Sequence, residues 1–193
     1  VLSGSVQEFV RSHGLQIRSS NYALYGDMSS RVMETLEQLL PNVERYSIDE
    51  AFADVSGLSR DRLVELCYLV SRKVLRHTGI QVSIGVAHTK TLAKVANRIA
   101  KRRPELAGVC IGTEPLSFSR ALEQMDTGDV WGIGRKISGK LAELGITSAI
   151  QLRDVEPEWI KKRFSVVLMR TVLELRGESC LDLEELEESR KSL

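Results

Sequence analysis

Tyr46-Ser-Ile-Asp-Glu-Ala-Phe-Ala-Asp-Val55 is the stretch that decides how this chain of 193 residues is read. Apolar and polar residues alternate through it, the pattern of a strand with one buried face. Two carboxylates, Asp49 and Glu50, stand side by side in the middle. Adjacent acids are costly beside a core unless a positive charge lies near, and hard oxygen donors suit a divalent cation. The same acids also suit a half-exposed strand that turns them into water. In a regular strand Asp49 and Glu50 point to opposite faces, so one shared metal site requires a twist or a bulge there. Asp49 is therefore expected as the main ligand, with Glu50 more peripheral.

Working outward from this element, residues 22–40 read as a helix with Met28, Val32, Leu36 and Leu39 on one stripe and Pro41 as its stop. Residues 5–13 fit a short helix ended by Gly14, and Leu15-Gln-Ile-Arg-Ser19 alternates like a strand. Downstream, Leu63, Leu66, Cys67, Val70 and Val74 mark a helix over 59–77, closed by Gly79. Residues 81–87 then read as a buried strand, followed by a helix over 89–102. Strand, helix, strand, strand, helix, strand, helix is the split βαβ order of ferredoxin-like sheets. After Pro104 only residues 108–111 look extended. Short helices follow over 115–124, 135–144, 147–153, 157–164 and 166–176. The fold class is α+β: a ferredoxin-like sheet domain with helices on one face over residues 1–112, then a small all-α domain over 113–182. A charged linker is expected over 183–193.

Composition is that of an ordinary globular chain, 42% hydrophobic and 27% charged, with a net charge of +1. The distribution says more than the sum. Six Lys or Arg and no acid lie between His88 and Arg103, whereas seven acids and one Arg fill 174–188. Separated blocks of this kind present one face to an anion and another to solvent or a partner. Three scattered cysteines without a CxxC pair point to a reducing compartment, hence the cytoplasm, and away from a structural zinc site. No run approaches the roughly 18 apolar residues that span a bilayer. The chain opens on Val1, which reads as a piece of something longer.

On the helix from Thr89, Lys90, Lys94, Arg98 and Lys101 recur at steps of four, four and three, apart from the apolar stripe Leu92, Val95, Ala96 and Ile99. A basic row near a helix N-terminus suits a polyphosphate, because the dipole and free N–H groups add to the lysines; a solvated basic face is the plain alternative. Acids able to hold a metal beside lysines able to hold phosphates are the usual layout for phosphoryl or nucleotidyl transfer. Further on, Val130-Trp-Gly-Ile-Gly-Arg-Lys-Ile-Ser-Gly-Lys-Leu141, then Leu144-Gly-Ile146, has the spacing of a helix-hairpin-helix motif. Gly132 and Gly134 allow a tight turn and close approach of backbone N–H groups to a DNA phosphate, with Arg135, Lys136 and Lys140 in support. Trp131 and Trp159 read as core of the all-α domain rather than stacking platforms. His77 and His88 read as a helix-end and a loop residue.

Taken together these stretches resemble the Y-family (translesion) DNA polymerases, nearest the UmuC-type branch. Tyr46–Phe52 resembles that family's second metal-binding motif, and Ser83–Asn97 its palm strand and nucleotide-binding helix. Asp129–Ser138, Leu173–Leu181 and Ser19–Tyr25 are similar to the UmuC-type branch. The resemblance, over about residues 15–185, implies that Asp49 and Glu50 hold catalytic Mg²⁺, that Lys94 binds the triphosphate of a dNTP, and that the all-α domain is a thumb on primer–template DNA. It implies accessory repair subunits and a sliding clamp as further partners, and no membrane. The implied reaction is templated attack of a primer 3′-hydroxyl on a dNTP.

The departures from that pattern matter equally. The family's first palm strand with another metal-binding Asp, its fingers and its little finger have no counterpart in these residues. A palm–thumb piece that does not polymerise alone is therefore expected. Two other readings stay open: a non-catalytic helix-hairpin-helix DNA-binding module, and a nucleotide cyclase on a similar palm, against which the downstream hairpin argues.

Overall fold

The computed structural model describes residues 4–182; the expected linker over 183–193 lies outside the described residues. In chain order the elements are α1 (Gly4–Ser12), α2 (Tyr22–Leu39), β1 (Val43–Arg45), β2 (Ala51–Ala53), α3 (Arg60–Thr78), β3 (Ile84–Val86), α4 (Lys90–Arg102) and β4 (Val109–Ile111). Then come α5 (Ser119–Glu123), α6 (Arg135–Glu143), α7 (Ala149–Asp154), α8 (Pro157–Arg163) and α9 (Val166–Arg176). The long helices follow from local chemistry. Ser59 caps α3 by accepting from Arg62 N–H, Gly79 ends it with φ of 73°, and Leu63, Cys67, Val70 and Val74 form its buried stripe. Asn21 caps α2 in the same way, accepting from Leu24 N–H at 3.1 Å.

The sheet departs from expectation. β1 and β2 pair antiparallel, with Val43 opposite Ala53 and Arg45 opposite Ala51. β3 and β4 pair parallel, with Ile84 opposite Val109 and Val86 opposite Ile111. Among the described residues these are two separate two-stranded sheets rather than one ferredoxin-like sheet. Residues 15–21, expected to begin with a strand, lie in no regular element. Leu15 and Ile17 are 50% and 60% exposed. Alternation of two apolar residues supplies no strand when neither finds a core to cover or an edge to pair with.

Helix α4 is the centre of the packing. Gly85 of β3 allows it to sit directly on the strand: a Cβ there would lie 2.2 Å from the backbone N of Asn97 and 2.3 Å from the carbonyl of Ala93. α4 also turns Leu92, Val95 and Ala96 into a buried cluster with Phe118, Leu122, Leu141, Leu152, Ile160, Val172 and Leu175. The five helices expected beyond residue 113 are present, with Ser148 and Gln151 forming a capping box at α7 and Ser165 capping α9. Pro115–Phe118 is a 3₁₀ turn leading into α5. Among the described residues no helix is long and apolar enough to cross a membrane.

Candidate functional site

The stretch around Asp49 and Glu50 is a turn, not a strand. The N–H groups of Tyr46 and Ser47 both donate to the Glu50 carbonyl at 3.0 Å, closing a loop between β1 and β2. The period-two objection to a shared site therefore does not apply, because neither acid sits on a pleat. Asp49 is exposed and accepts from Ser47 Oγ at 2.7 Å. Glu50 is partly buried and pairs with Lys94 of α4.

The basic row of α4 is not a solvated face from Lys90 to Arg98, whereas Lys101 is exposed. Lys90 pairs with Glu44 of β1 at 2.6 Å, the two side chains only 10% and 8% exposed, and also donates to the Asp182 carbonyl at 2.7 Å. Lys94 meets Glu50, and Arg98 meets Asp129 just ahead of α6. Each cation of the row from Lys90 to Arg98 thus grips a carboxylate from another part of the chain. Arg45 of β1 is bidentate to Glu37 of α2, at 2.7 and 2.8 Å, and holds the Glu37 carboxyl below the usual carboxylate range.

The N-terminus of α4, expected to offer free N–H groups to a phosphate, is already occupied. Thr89 Oγ1 accepts from Leu92 N–H at 3.2 Å, and Oε2 of Glu174 accepts from Thr91 N–H at 3.0 Å. Glu174 has no exposed surface, and its other oxygen accepts from Cys180 N–H at 2.8 Å. The anion at this helix end is the protein's own, so the dipole stabilises a structural carboxylate.

Beneath the acid turn runs an apolar cleft of about 760 Å³ lined by residues including Met33, Phe52, Val70, Ile84 and Val86, with Asp49, Glu50 and Lys94 on its border. Among the described residues β2 pairs only with β1 and β3 only with β4, and residues of both β2 and β3 line this cleft.

The glycine turn ahead of α6 faces outward. Gly132 has φ of 82°, a conformation that favours glycine, and Gly134 is the N-cap of α6 with no side-chain hydrogen bond. Nothing lies within 4 Å of a Cβ built at either glycine, while Ile133 between them is buried. Arg135, Lys136 and Lys140 are exposed. Ser138 is tied back to Thr127, their hydroxyls 3.1 Å apart.

Trp131 is not core, contrary to expectation. Its indole Nε1 donates to Tyr46 Oη at 3.0 Å, and its ring lies 5.3 Å from that of Tyr46 and 5.6 Å from that of Phe52. The ammonium of Lys94 lies 5.7 Å from the Tyr46 ring centre and that of Lys90 lies 5.2 Å from that of Phe52. Trp159 is 39% exposed and packs on Phe164. Tyr46, Trp131 and Glu174 were not legible as site residues, since their partners lie more than 80 positions away.

Among the described residues no three His, Cys, Asp or Glu side chains converge as a metal centre. Asp49 and Glu50 supply two hard oxygen donors, the type and number with which proteins hold Mg²⁺ when phosphate oxygens complete the shell. In that sense the residues fit the ion.

Comparison with known proteins adds the context. Residues 5–98 match the impB/mucB/samB family. The chain is 46% identical over 189 residues to the protein UmuC of Salmonella typhimurium, covering 97% of this chain and 45% of that protein. It is 42% identical over 183 residues to the protein ImpB of Salmonella typhimurium, covering 93% of this chain and 43% of that protein. The chain thus spans just under half the length of these curated relatives. Its fold is similar to that in the insertion ternary complex of Dbh DNA polymerase, with a TM-score of 0.73 at 25% identity, over 95% of this chain and 54% of that one.

Proposed function

We propose that the chain, whose residues 5–98 match the impB/mucB/samB family, is a member of it and is the palm–thumb part of an error-prone, translesion DNA polymerase. The observation that carries this reading is the meeting of Glu50 and Lys94 at the border of one cleft. A carboxylate turn and a lysine converge there from positions 44 residues apart. Asp49 and Glu50 would hold Mg²⁺, which when bound offsets charge on phosphate oxygens and favours an in-line displacement. Lys94 would orient the triphosphate of a dNTP, and the exposed turn Gly132–Gly134 with Arg135, Lys136 and Lys140 would hold the DNA backbone without reading bases. In this reading residues 1–112 act as palm and 113–182 as a helix-hairpin-helix thumb.

The palm reading also gives the cleft a use. Among the described residues β2 and β3 each pair with a single strand and both line this apolar cleft, which suits a further strand of a palm sheet. With that space open and two carboxylates in hand, these residues alone would not carry out nucleotidyl transfer. Primer extension tests both parts. The intact polymerase bearing this segment is expected to extend a primed template and to lose this on Asp49→Ala or Glu50→Ala. The 193 residues alone are expected to give none. Extension by the isolated chain that Asp49→Ala abolishes would overturn the second part, and full activity of the intact variants would overturn the first.

A second reading, a non-catalytic duplex-binding module, is favoured by the uncapped N-terminus of α6 behind Gly134. It predicts salt-sensitive, sequence-indifferent binding that Gly134→Val weakens while Asp49→Ala leaves it unchanged.

A further inference from the structure

We propose that Trp131 is a positioning residue for Lys94, acting through Tyr46; this rests on the reading of Lys94 as the group that takes a polyphosphate. Tyr46 sits where three constraints cross. Its backbone N–H donates to the Glu50 carbonyl and so closes the turn that carries both acids. Its ring face lies under the Lys94 ammonium. Its hydroxyl accepts the indole N–H of Trp131.

Tyr46 is 46% exposed, so burial alone does not fix its ring. A hydrogen bond at the far end of the ring removes that freedom, and a fixed ring gives the ammonium a fixed aromatic face. Trp131 can act as the fixed partner because its neighbours are anchored. Val130 and Ile133 are buried, and Asp129 is gripped by Arg98, one turn beyond Lys94 on the same helix. The lysine is thereby held between the Glu50 carboxylate and the Tyr46 face, at the border of the cleft. Phe52, edge-on to Tyr46 and beneath Lys90, completes the aromatic floor.

The alternative is that Trp131 merely packs one part of the chain on another. A double-mutant cycle separates the two, read by calorimetric titration of the 193-residue chain with inorganic tripolyphosphate and Mg²⁺. Trp131→Phe keeps an aromatic ring but loses the donor, and Tyr46→Phe loses only the acceptor. Each is expected to weaken binding about fivefold, the scale of one neutral hydrogen bond, and the double variant no more than either alone. Lys94→Met is expected to abolish binding. Circular dichroism and melting of Trp131→Phe are expected to match the parent closely. Unchanged affinity in both single variants, or losses that simply multiply in the double, would overturn the positioning role. Equal binding by the parent and Lys94→Met, or none by either, would overturn the reading of Lys94 and this inference with it.

Discussion

Glu174 of α9 accepts the backbone N–H of Thr91 at 3.0 Å, so a carboxylate with no exposed surface closes the first turn of the helix that carries Lys94. The backbone carbonyl of Glu174 also accepts from Thr89 Oγ1 at 2.9 Å. Removing the carboxylate strands the N–H groups of Thr91 and Cys180 inside the protein. Glu174→Ala is expected to cost about 3 kcal/mol and to lower the melting temperature by roughly 5–10 °C, and Glu174→Gln about half as much. Thermal unfolding followed by circular dichroism measures this; an unchanged melt for the Ala variant would show that the contact contributes nothing.

Two glycines offer a matched pair. At Gly85 a methyl group would overlap the backbone of α4, whereas at Gly26, inside α2, nothing lies within 4 Å. Gly85→Ala is expected to destabilise by about 3 kcal/mol or to prevent folding, through overpacking. Gly26→Ala is expected to stabilise by about 0.5–1 kcal/mol, through helix propensity. Urea midpoints of the two variants should move in opposite directions.

The pairing of Lys94 with Glu50 has a consequence of unusual sign. Without a nucleotide present, the lysine competes with any divalent cation for the Glu50 carboxylate. Lys94→Met is therefore expected to bind Mn²⁺ about threefold or more tightly than the parent in the absence of nucleotide, as a released carboxylate gains affinity for the ion. Electron paramagnetic resonance titration of free Mn²⁺ reads the difference. Weaker binding by the variant would refute the competition.

The two turn glycines separate stability from DNA binding. Gly132 has a positive φ and Gly134 does not, and both have open space around them. Gly132→Ala is expected to cost about 1 kcal/mol of stability through backbone strain. Gly134→Val is expected to leave the melt nearly unchanged yet weaken duplex binding about tenfold, because its side chain keeps a phosphate away from the α6 N–H groups. Fluorescence anisotropy at fixed salt, with a melt of each variant, tests both halves.

Burial in the stripe of α3 pushes the Cys67 thiol up to about 11 from its usual 9.0. The folded protein keeps this proton when the unfolded chain has lost it, so the stability it contributes is complete below pH 9.0 and is lost as pH rises to about 11. Denaturant midpoints should fall over that window, and less so in Cys67→Ala after correction for its lower starting stability. Folded protein should also leave Cys67 unmodified by iodoacetamide at pH 8, whereas unfolded protein reacts.

Several elements were legible in the chain alone. The helix over Arg60–Thr78 follows from Ser59, Gly79 and the spacing of Leu63, Cys67, Val70 and Val74, and the small helices after Pro115 follow from equally local punctuation. The strand expected over residues 15–19 is absent because alternation describes a face, while a strand also needs a neighbour. The acid pair, the basic row and the glycine turn were visible as residue types, but not what they would meet.

What the sequence by itself determined is the helices, their caps, and the chemical character of Asp49-Glu50, of the row from Lys90 to Lys101, and of the turn at Gly132–Gly134. These signals act over three or four residues, the reach of a helical turn or a cap. Only the tertiary structure decided that the acids sit in a turn, that Glu50 takes Lys94, that Glu174 fills the helix end expected for a phosphate, and that Trp131 reaches Tyr46. Those contacts join residues 44, 83 and 85 positions apart. No local pattern specifies such partners, because which charges and rings meet depends on how α4 packs between a strand and the helices beyond it.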